Sequence, residues 1–332
     1  MIKKISLPPK YYFLKDKNFL EKRFSEFYVK PKITNLKISS IKMSGNLKIV
    51  GEYKIKEKNK IKKIFAIYRF SGAKLEEFKI LKYLFNFEFK EPKFLTPRPL
   101  FYFKEVIFYE SLEGTPFFAI KPDNLLKILK SKIEDIIIAL IQFHKIKPPA
   151  KNYNITQDLK KLEIFKSVLR KYFKNESEIG LIEEVFSIVT KKRINLFQNL
   201  KKFCFCHNDF TFGNLIYQKG KIGLIDFSES CFSDPLFDLG KFLGQLDYLI
   251  YLNRKLEREV FEIEEILKNN YFKNQTLFSE KEFKERICVY RAFADIENSI
   301  FILGAEEKQQ NKEGSFWFLQ RAKQYLETNK AS

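Results

Sequence analysis

The sequence predicts an α+β chain in which an antiparallel sheet comes first and helices follow. Three observations carry this. Between residues 33 and 70 the apolar positions fall in strand-like runs separated by turn chemistry. From residue 122 onward most of the chain repeats its apolar residues at helical spacing. Between the halves, Ser111-Leu112-Glu113-Gly114-Thr115-Pro116 has the composition of a connector. We place a boundary there, with residues 1–112 as one unit and 113–332 as the other. With 45% hydrophobic residues, a chain of 332 residues has enough core for both.

The elements follow in order. Residues 1–30 hold Tyr11, Tyr12, Phe13, Phe19 and Leu20 among charges, and predict a leading segment and helix packed on the sheet. Ile33, Leu36, Ile38 and Ile41 make a first strand, and Met43-Ser44-Gly45-Asn46 makes its turn. Residues 47–55 and 64–70 supply two more strands, with a turn at 56–60. Residues 75–84 have helical spacing, and Pro92, Pro97 and Pro99 end that region. Residues 101–103 and 106–110 form a hairpin. Residues 122–145 are helical, and their apolar stretch 133–144, IEDIIIALIQFH, is stopped by the segment 145–149. Amphipathic helices occupy 156–173 and 176–200, and four more follow at about 238–253, 255–270, 279–304 and 314–328.

The chemistry is concentrated between residues 203 and 240, FCFCHNDFTFGNLIYQKGKIGLIDFSESCFSDPLFDLG. Apolar surroundings predict burial, yet the stretch holds Asp209, Asp226, Asp234 and Asp238. A buried carboxylate costs several kcal/mol unless it is paired or binds metal. The spacing supplies a reason. His207, Asp209 and Asn214 form H-x-D-x-x-x-x-N, and Asp226 follows at a strand end. Kinases arrange phosphoryl transfer this way. The strands 215–217 and 222–225, joined by a turn at 218–221, bring Asn214 and Asp226 to one end of a ribbon. Two oxygen ligands there suit Mg²⁺, which takes few protein ligands.

HNDFTFGN, LIDFSES and DPLFDLG together resemble the aminoglycoside phosphotransferase and choline kinase superfamily, small-molecule kinases with a two-lobed, protein-kinase-like fold. The resemblance implies an ATP- and Mg²⁺-dependent enzyme that phosphorylates a hydroxyl of a small molecule: an amino alcohol such as choline or ethanolamine, an aminoglycoside or a sugar. It implies Asp209 as catalytic base, Asn214 and Asp226 as Mg²⁺ ligands, His207 as a brace of the catalytic loop, and Asp238 as support beneath that loop. In the first lobe it implies Ser44 in the turn over the phosphates, and Arg69 gripping phosphate oxygens with Glu77 aiming it (Glu76 as substitute). The backbone from Glu110 to Leu112 would meet adenine. Asn208 stands where protein kinases have Arg, and Ser228 where they have Gly. The link from Asp226 to Asp234 is too short for a long activation segment, which favours the small-molecule branch.

Asp247, Tyr248, Tyr251, Tyr290, Asp295, Glu297 and Trp317 combine acidic and aromatic groups suited to a cationic acceptor. In a chain with 37 Phe and 16 Tyr such residues read first as core. His144 likewise reads as a core histidine at a helix end. The net charge is +20, and residues 1–63 hold eighteen lysines or arginines against five acidic residues. The lysines are scattered, so they read as a solvated surface favourable to an anionic nucleotide rather than as a nucleic-acid interface. The rival class is a catalytically inactive pseudokinase that binds nucleotide or nucleic acid. Cys204, Cys206, Cys231 and Cys288 have no metal-ligand spacing. Without a signal segment or an apolar run near the ~18 residues of a membrane span, the expected location is the cytoplasm.

Overall fold

The structure, a computed structural model, describes residues 2–43, 46–69, 74–87, 94–305 and 311–328. The first part is a six-stranded antiparallel sheet in the order β1-β2-β3-β4-β6-β5. Its strands are β1 (Ile2–Lys4), β2 (Lys32–Met43), β3 (Asn46–Glu57), β4 (Lys60–Arg69), β5 (Arg98–Phe103) and β6 (Val106–Glu110). β2, β3 and β4 pair in a long meander, Ile38 opposite Gly51 and Val50 opposite Ile67.

The leading segment covers one sheet face. A 3₁₀ turn over Pro9–Lys15 precedes helix α1 (Lys17–Phe24), whose N-cap Asp16 accepts a hydrogen bond from the Phe19 amide at 3.0 Å. Tyr11, Leu14, Leu20 and Phe24 are buried there with Ile49, Tyr53 and Phe108. The Tyr53 hydroxyl reaches the Leu14 carbonyl at 3.0 Å, so its polar tip is satisfied inside the core.

The second part is helical. Helix α2 (Lys74–Asn86) touches the sheet, but its Ile80, Leu81 and Leu84, with Phe94, belong to the larger core of the helices. Glu76 near its start accepts from the Lys151 amide at 2.7 Å, a further tie between the parts. After β7 (Thr115–Pro116) come α3 (Pro122–Phe143), α4 (Ile155–Tyr172) and α5 (Glu176–Gln198). Helix α5 opens on a capping box in which Asn175 and Glu178 satisfy each other's backbone amides.

Then come the short strands β8 (Cys204–Cys206), β9 (Leu215–Gln218), β10 (Lys221–Leu224) and β11 (Cys231–Ser233). They form two antiparallel ribbons, β10-β9-β7 and β11-β8. The chain ends in α6 (Leu236–Leu252), α7 (Glu257–Lys273), α8 (Glu280–Ala305) and α9 (Lys312–Glu327). Helix α6 is buried along nearly its whole length and packs closely on α8. A Cβ on Gly240 would lie 2.3 Å from the Tyr290 Cβ, and one on Gly244 would lie 2.5 Å from the Ala294 Cβ. The two glycines let the helix axes approach. Among the described residues no helix is long and apolar enough to cross a membrane.

The predicted sheet-first, helices-later order is therefore present, as are all the predicted helices. Within the region 122–145 the helix is unbroken from Pro122 to Phe143, with His144 as its C-cap. Cys204 and Cys206 lie on a strand, β8, as their alternation predicts, while the two-residue and three-residue strands β1, β7 and β11 are additions that pattern reading did not supply.

Candidate active site

The site is assembled on the β9–β10 hairpin and the loop before it. Lys219 and Gly220 turn the hairpin with φ of 48° and 79°, the positive pair that a two-residue turn of matching twist needs. Leu215 pairs with Leu224, and the Ile225 amide donates to the Asn214 carbonyl at 3.0 Å. Asn214 and Asp226 thus flank the open end of the ribbon, as their spacing predicts. The Asn214 side-chain amide donates to the Asp209 carboxylate at 2.7 Å and to the Asp209 carbonyl at 2.8 Å. Its oxygen is left as the acceptor end. Asp226 sits at φ 66°, a left-handed conformation uncommon outside glycine, and its carboxylate accepts from the Ser228 hydroxyl at 2.8 Å.

Asp238, in the first turn of α6, holds the loop from below. Its two oxygens accept from the backbone amides of His207 at 2.8 Å and Asn208 at 2.7 Å. His144 caps α3 and touches the same carboxylate through Nε2 at 3.0 Å, while its Nδ1 meets the Tyr271 hydroxyl at 2.9 Å. The expected core histidine is thus a core histidine with a job: it orients the group that orients the loop. His207 donates from Nε2 to the Ile225 carbonyl at 3.0 Å, tying the Asp209 loop to the segment that leads from β10 into Asp226. Its buried Nδ1 has no partner among the described residues. Asn208, at φ 60°, spreads its amide over the Glu229 carbonyl, the Cys231 thiol and the Ser233 hydroxyl. Asn tolerates that backbone better than most residues.

The first-lobe residues are placed less fully. Ser44 lies outside the described residues. Arg69 ends β4 opposite Lys48, and its side chain lies outside what is described. Glu77 stands half-buried in the first turn of α2. Glu110 ends β6, where its carboxylate accepts from the Tyr28 hydroxyl at 2.8 Å and from Lys62 at 2.5 Å. That use of its side chain had no sequence signal. The next amide, Ser111, is taken by the Lys63 carbonyl at 2.8 Å, and the Leu112 side chain lies over Gly223.

Asp209 lies between two cavities. One, of about 570 Å³, reaches from Asn208, Asp226 and Ser228 to the start of α4. The other, of about 420 Å³, lies between α6 and α8 and is lined by Lys241, Gln245, Tyr248, Glu297, Asn298 and Phe301 among others. Of the acidic and aromatic residues suited to a cation, Tyr248 and Glu297 line this cavity. The others are structural. Asp247 is fully buried, gripped by Arg291 at 2.6 and 2.9 Å and by Arg321 at 2.6 Å. Tyr290 is buried and donates to Asp234 at 2.5 Å, and Tyr251 packs on Trp317 and Phe318. Asp295 is fully buried, and burial and the nearby Asp247 carboxylate push its own carboxyl well above the ordinary range. Glu297 is in contact with Lys241 through one oxygen and with Lys161 through the other. Burial and the Lys161 ammonium push Lys241 down to about 7, Asp209 and Asp158 pull the other way, and its amine stands in contact with the Glu297 carboxylate.

A kinase-like two-lobed phosphotransferase is the class that this fold and loop define. Residues 52–258 match the model of the phosphotransferase enzyme family, and the chain belongs to that family. No curated protein matches it in sequence. Solved structures agree on the fold. Choline kinase LicA from Streptococcus pneumoniae is 18% identical, with 95% of this chain and 99% of that chain covered and a TM-score of 0.55. Spectinomycin phosphotransferase APH(9)-Ia, solved with ADP and spectinomycin, is 16% identical, with 94% and 98% covered and a TM-score of 0.56. An ethanolamine kinase from Plasmodium vivax is 13% identical, with 96% and 89% covered and a TM-score of 0.53.

Proposed function

We propose that the protein transfers the γ-phosphoryl group of ATP to a hydroxyl of a small molecule, with Asp209 as base. One observation carries this reading. The amide of Asn214 is bonded to Asp209, and Asn214 and Asp226 flank the same hairpin end, so base and prospective metal ligands form one unit. Asn214 and Asp226 offer an amide and a carboxylate oxygen, a donor set that fits Mg²⁺. Bound there with the nucleotide, Mg²⁺ would neutralise charge on the phosphate oxygens.

The acceptor hydroxyl oxygen attacks the γ-phosphorus in line. Its new O–P bond forms as the bridging bond to the β-phosphate breaks, ADP leaves, and the hydroxyl proton passes to Asp209. Asn214 keeps the Asp209 carboxylate aimed, and Asp238 and His207 fix the loop that carries it. Arg69 with Glu77 would hold the phosphates, Ser44 would cover them, and the backbone from Glu110 to Leu112 would receive adenine. On this reading residues 1–112 are the nucleotide lobe, residues 113–332 the catalytic and acceptor lobe, and the enzyme works in the cytoplasm.

Thermal unfolding with and without MgATP tests the nucleotide site. At 100 times its dissociation constant a native-state ligand adds about 2.7 kcal/mol of stability. The wild type should gain a clear rise in midpoint and Asp226→Ala should not. Asp209→Asn should keep the rise and lose turnover by about 10²- to 10⁴-fold. Full activity of Asp209→Asn with an acceptor that the wild type phosphorylates would overturn the assignment of the base.

A further inference from the structure

The cavity between α6 and α8 has a charge balance that bears on which acceptor it takes. Two carboxylates line it, Asp209 and Glu297. Asp209 is the group that must face the reacting hydroxyl. Glu297 is spoken for at both oxygens, by Lys241 of α6 and Lys161 of α4. Lys241 is itself buried, with its ammonium 5.4 and 5.5 Å from the ring centroids of Phe237 and Phe293. The triad Lys161–Glu297–Lys241 therefore offers an incoming cation no unpaired anion. Were the Lys241 proton lost, Lys161 would still neutralise Glu297. A buried ammonium without its own counter-ion is strongly disfavoured.

The other lining groups suit hydroxyls and a ring. Gln245 donates to the Asn298 carbonyl oxygen at 3.3 Å and accepts from the Phe212 amide at 3.2 Å, which leaves it one N–H. Asn298 spends its donors on the Gly244 carbonyl and Asp295, which leaves its oxygen a second lone pair. Phe118 and Phe301 are 66% and 59% exposed at the cavity, an unusual state for phenylalanine, and Tyr248 meets Phe301 edge-on at 6.1 Å. Amide groups beside exposed aromatic faces can bind a ring that carries several hydroxyls.

We propose, on the phosphotransferase reading above, that the acceptor is a neutral, hydroxyl-rich ring compound of the sugar class, and that Lys241 sets this preference against ammonium-bearing acceptors. Glu297 is held by its two lysines and is not a receptor for a substrate cation. Phosphate transfer to such an acceptor uses Asp209 as before.

The test measures ADP release with MgATP and a panel of neutral monosaccharides and cyclic polyols, set against choline, ethanolamine and an aminoglycoside. The wild type is expected to favour a neutral ring by about tenfold or more in kcat/KM. Lys241→Met, which returns one Glu297 oxygen to the cavity, should narrow or reverse that ratio by about tenfold, and Lys241→Arg should restore it. Equal or better turnover of the ammonium compounds by wild type overturns the proposal, as does a ratio unmoved in Lys241→Met. Calorimetric titration of Asp209→Asn with the same panel reads the cavity without turnover. Tighter binding of the ammonium compounds, or no binding of any neutral ring, counts against the sugar acceptor. Absence of ADP release with every compound, alongside preferential binding of a neutral ring, counts against phosphotransfer and leaves the preference standing.

Discussion

Asp238 shows how much can rest on one carboxylate. It satisfies two loop amides and one histidine from inside the core, with no exposure to solvent. Leaving a buried donor unpaired costs about 1–3 kcal/mol. Asp238→Ala should therefore lose about 2–5 kcal/mol in urea unfolding, and kcat should fall as the Asp209 loop loosens. Asp238→Asn keeps one acceptor and should fall between. Asp295 makes the opposite prediction. Its carboxyl is raised by burial and by Asp247, so its contribution is fully present below the ordinary Asp pKa and is lost as pH rises toward the folded value. Asp295→Asn removes that loss, and its advantage over wild type in thermal unfolding should grow as pH rises above about 4, the unfolded Asp range. That Asp209, Asn214 and Asp226 come together was legible because they are near neighbours in sequence and flank one hairpin. The core placement of His144 was legible but its partner was not, because Asp238 is 94 positions away and helix-end histidines carry no mark of what they will touch.

Among the elements, the long strands and helices declared themselves through period, and the 218–221 turn through its glycine. The short strands β1, β7 and β11 did not, since their pairing is created by partners distant in sequence, as when Ser233 meets Cys204. The contact between α6 and α8 is the other feature that sequence reading passed over, although Gly240 and Gly244 are spaced one helical turn apart. In Gly240→Ala the new methyl meets the Tyr290 Cβ at 2.3 Å and its backbone carbon at 2.8 Å, atoms that cannot turn aside. Such overpacking costs about 1–3 kcal/mol and sometimes more. A drop in the unfolding midpoint should therefore follow, and on the proposed phosphotransferase reading a rise in acceptor KM larger than that for MgATP, because α8 carries Glu297 and Asn298 into the cavity beside Asp209.

For the whole molecule, stability in acid follows from its buried ion pairs. Burial pushes the Asp158 and Asp247 carboxyls up, but Arg193 for the first, and Arg291 with Arg321 for the second, bring both below their ordinary value. A depressed carboxyl stabilises above its unfolded pKa, and that contribution is lost as pH falls through the folded one. Unfolding should therefore set in below about pH 4, the unfolded Asp range. It should be eased by salt, since a chain at +20 becomes still more positive as carboxylates protonate. Circular dichroism against pH at two ionic strengths checks both. The division into sheet and helices was readable from the order of periodic segments. The sharing of α2 between them was not, because an amphipathic stripe does not say which of two neighbours will cover it.

Helix α6 serves two masters within one turn: Asp238 fixes the Asp209 loop, and Lys241, three residues on, lines the cavity against α8. A mutation that rotates α6 would detune both at once. The facing helix α8 supplies Glu297, Asn298 and Phe301 to the same cavity, and its Asn298 meets the loop one step removed, through Gln245, which accepts from the Phe212 amide. On the proposed reading, acceptor choice can be rewritten from α8 while Asp209 and its supports are inherited intact, which gives a descendant of this enzyme a route to a new substrate through active intermediates.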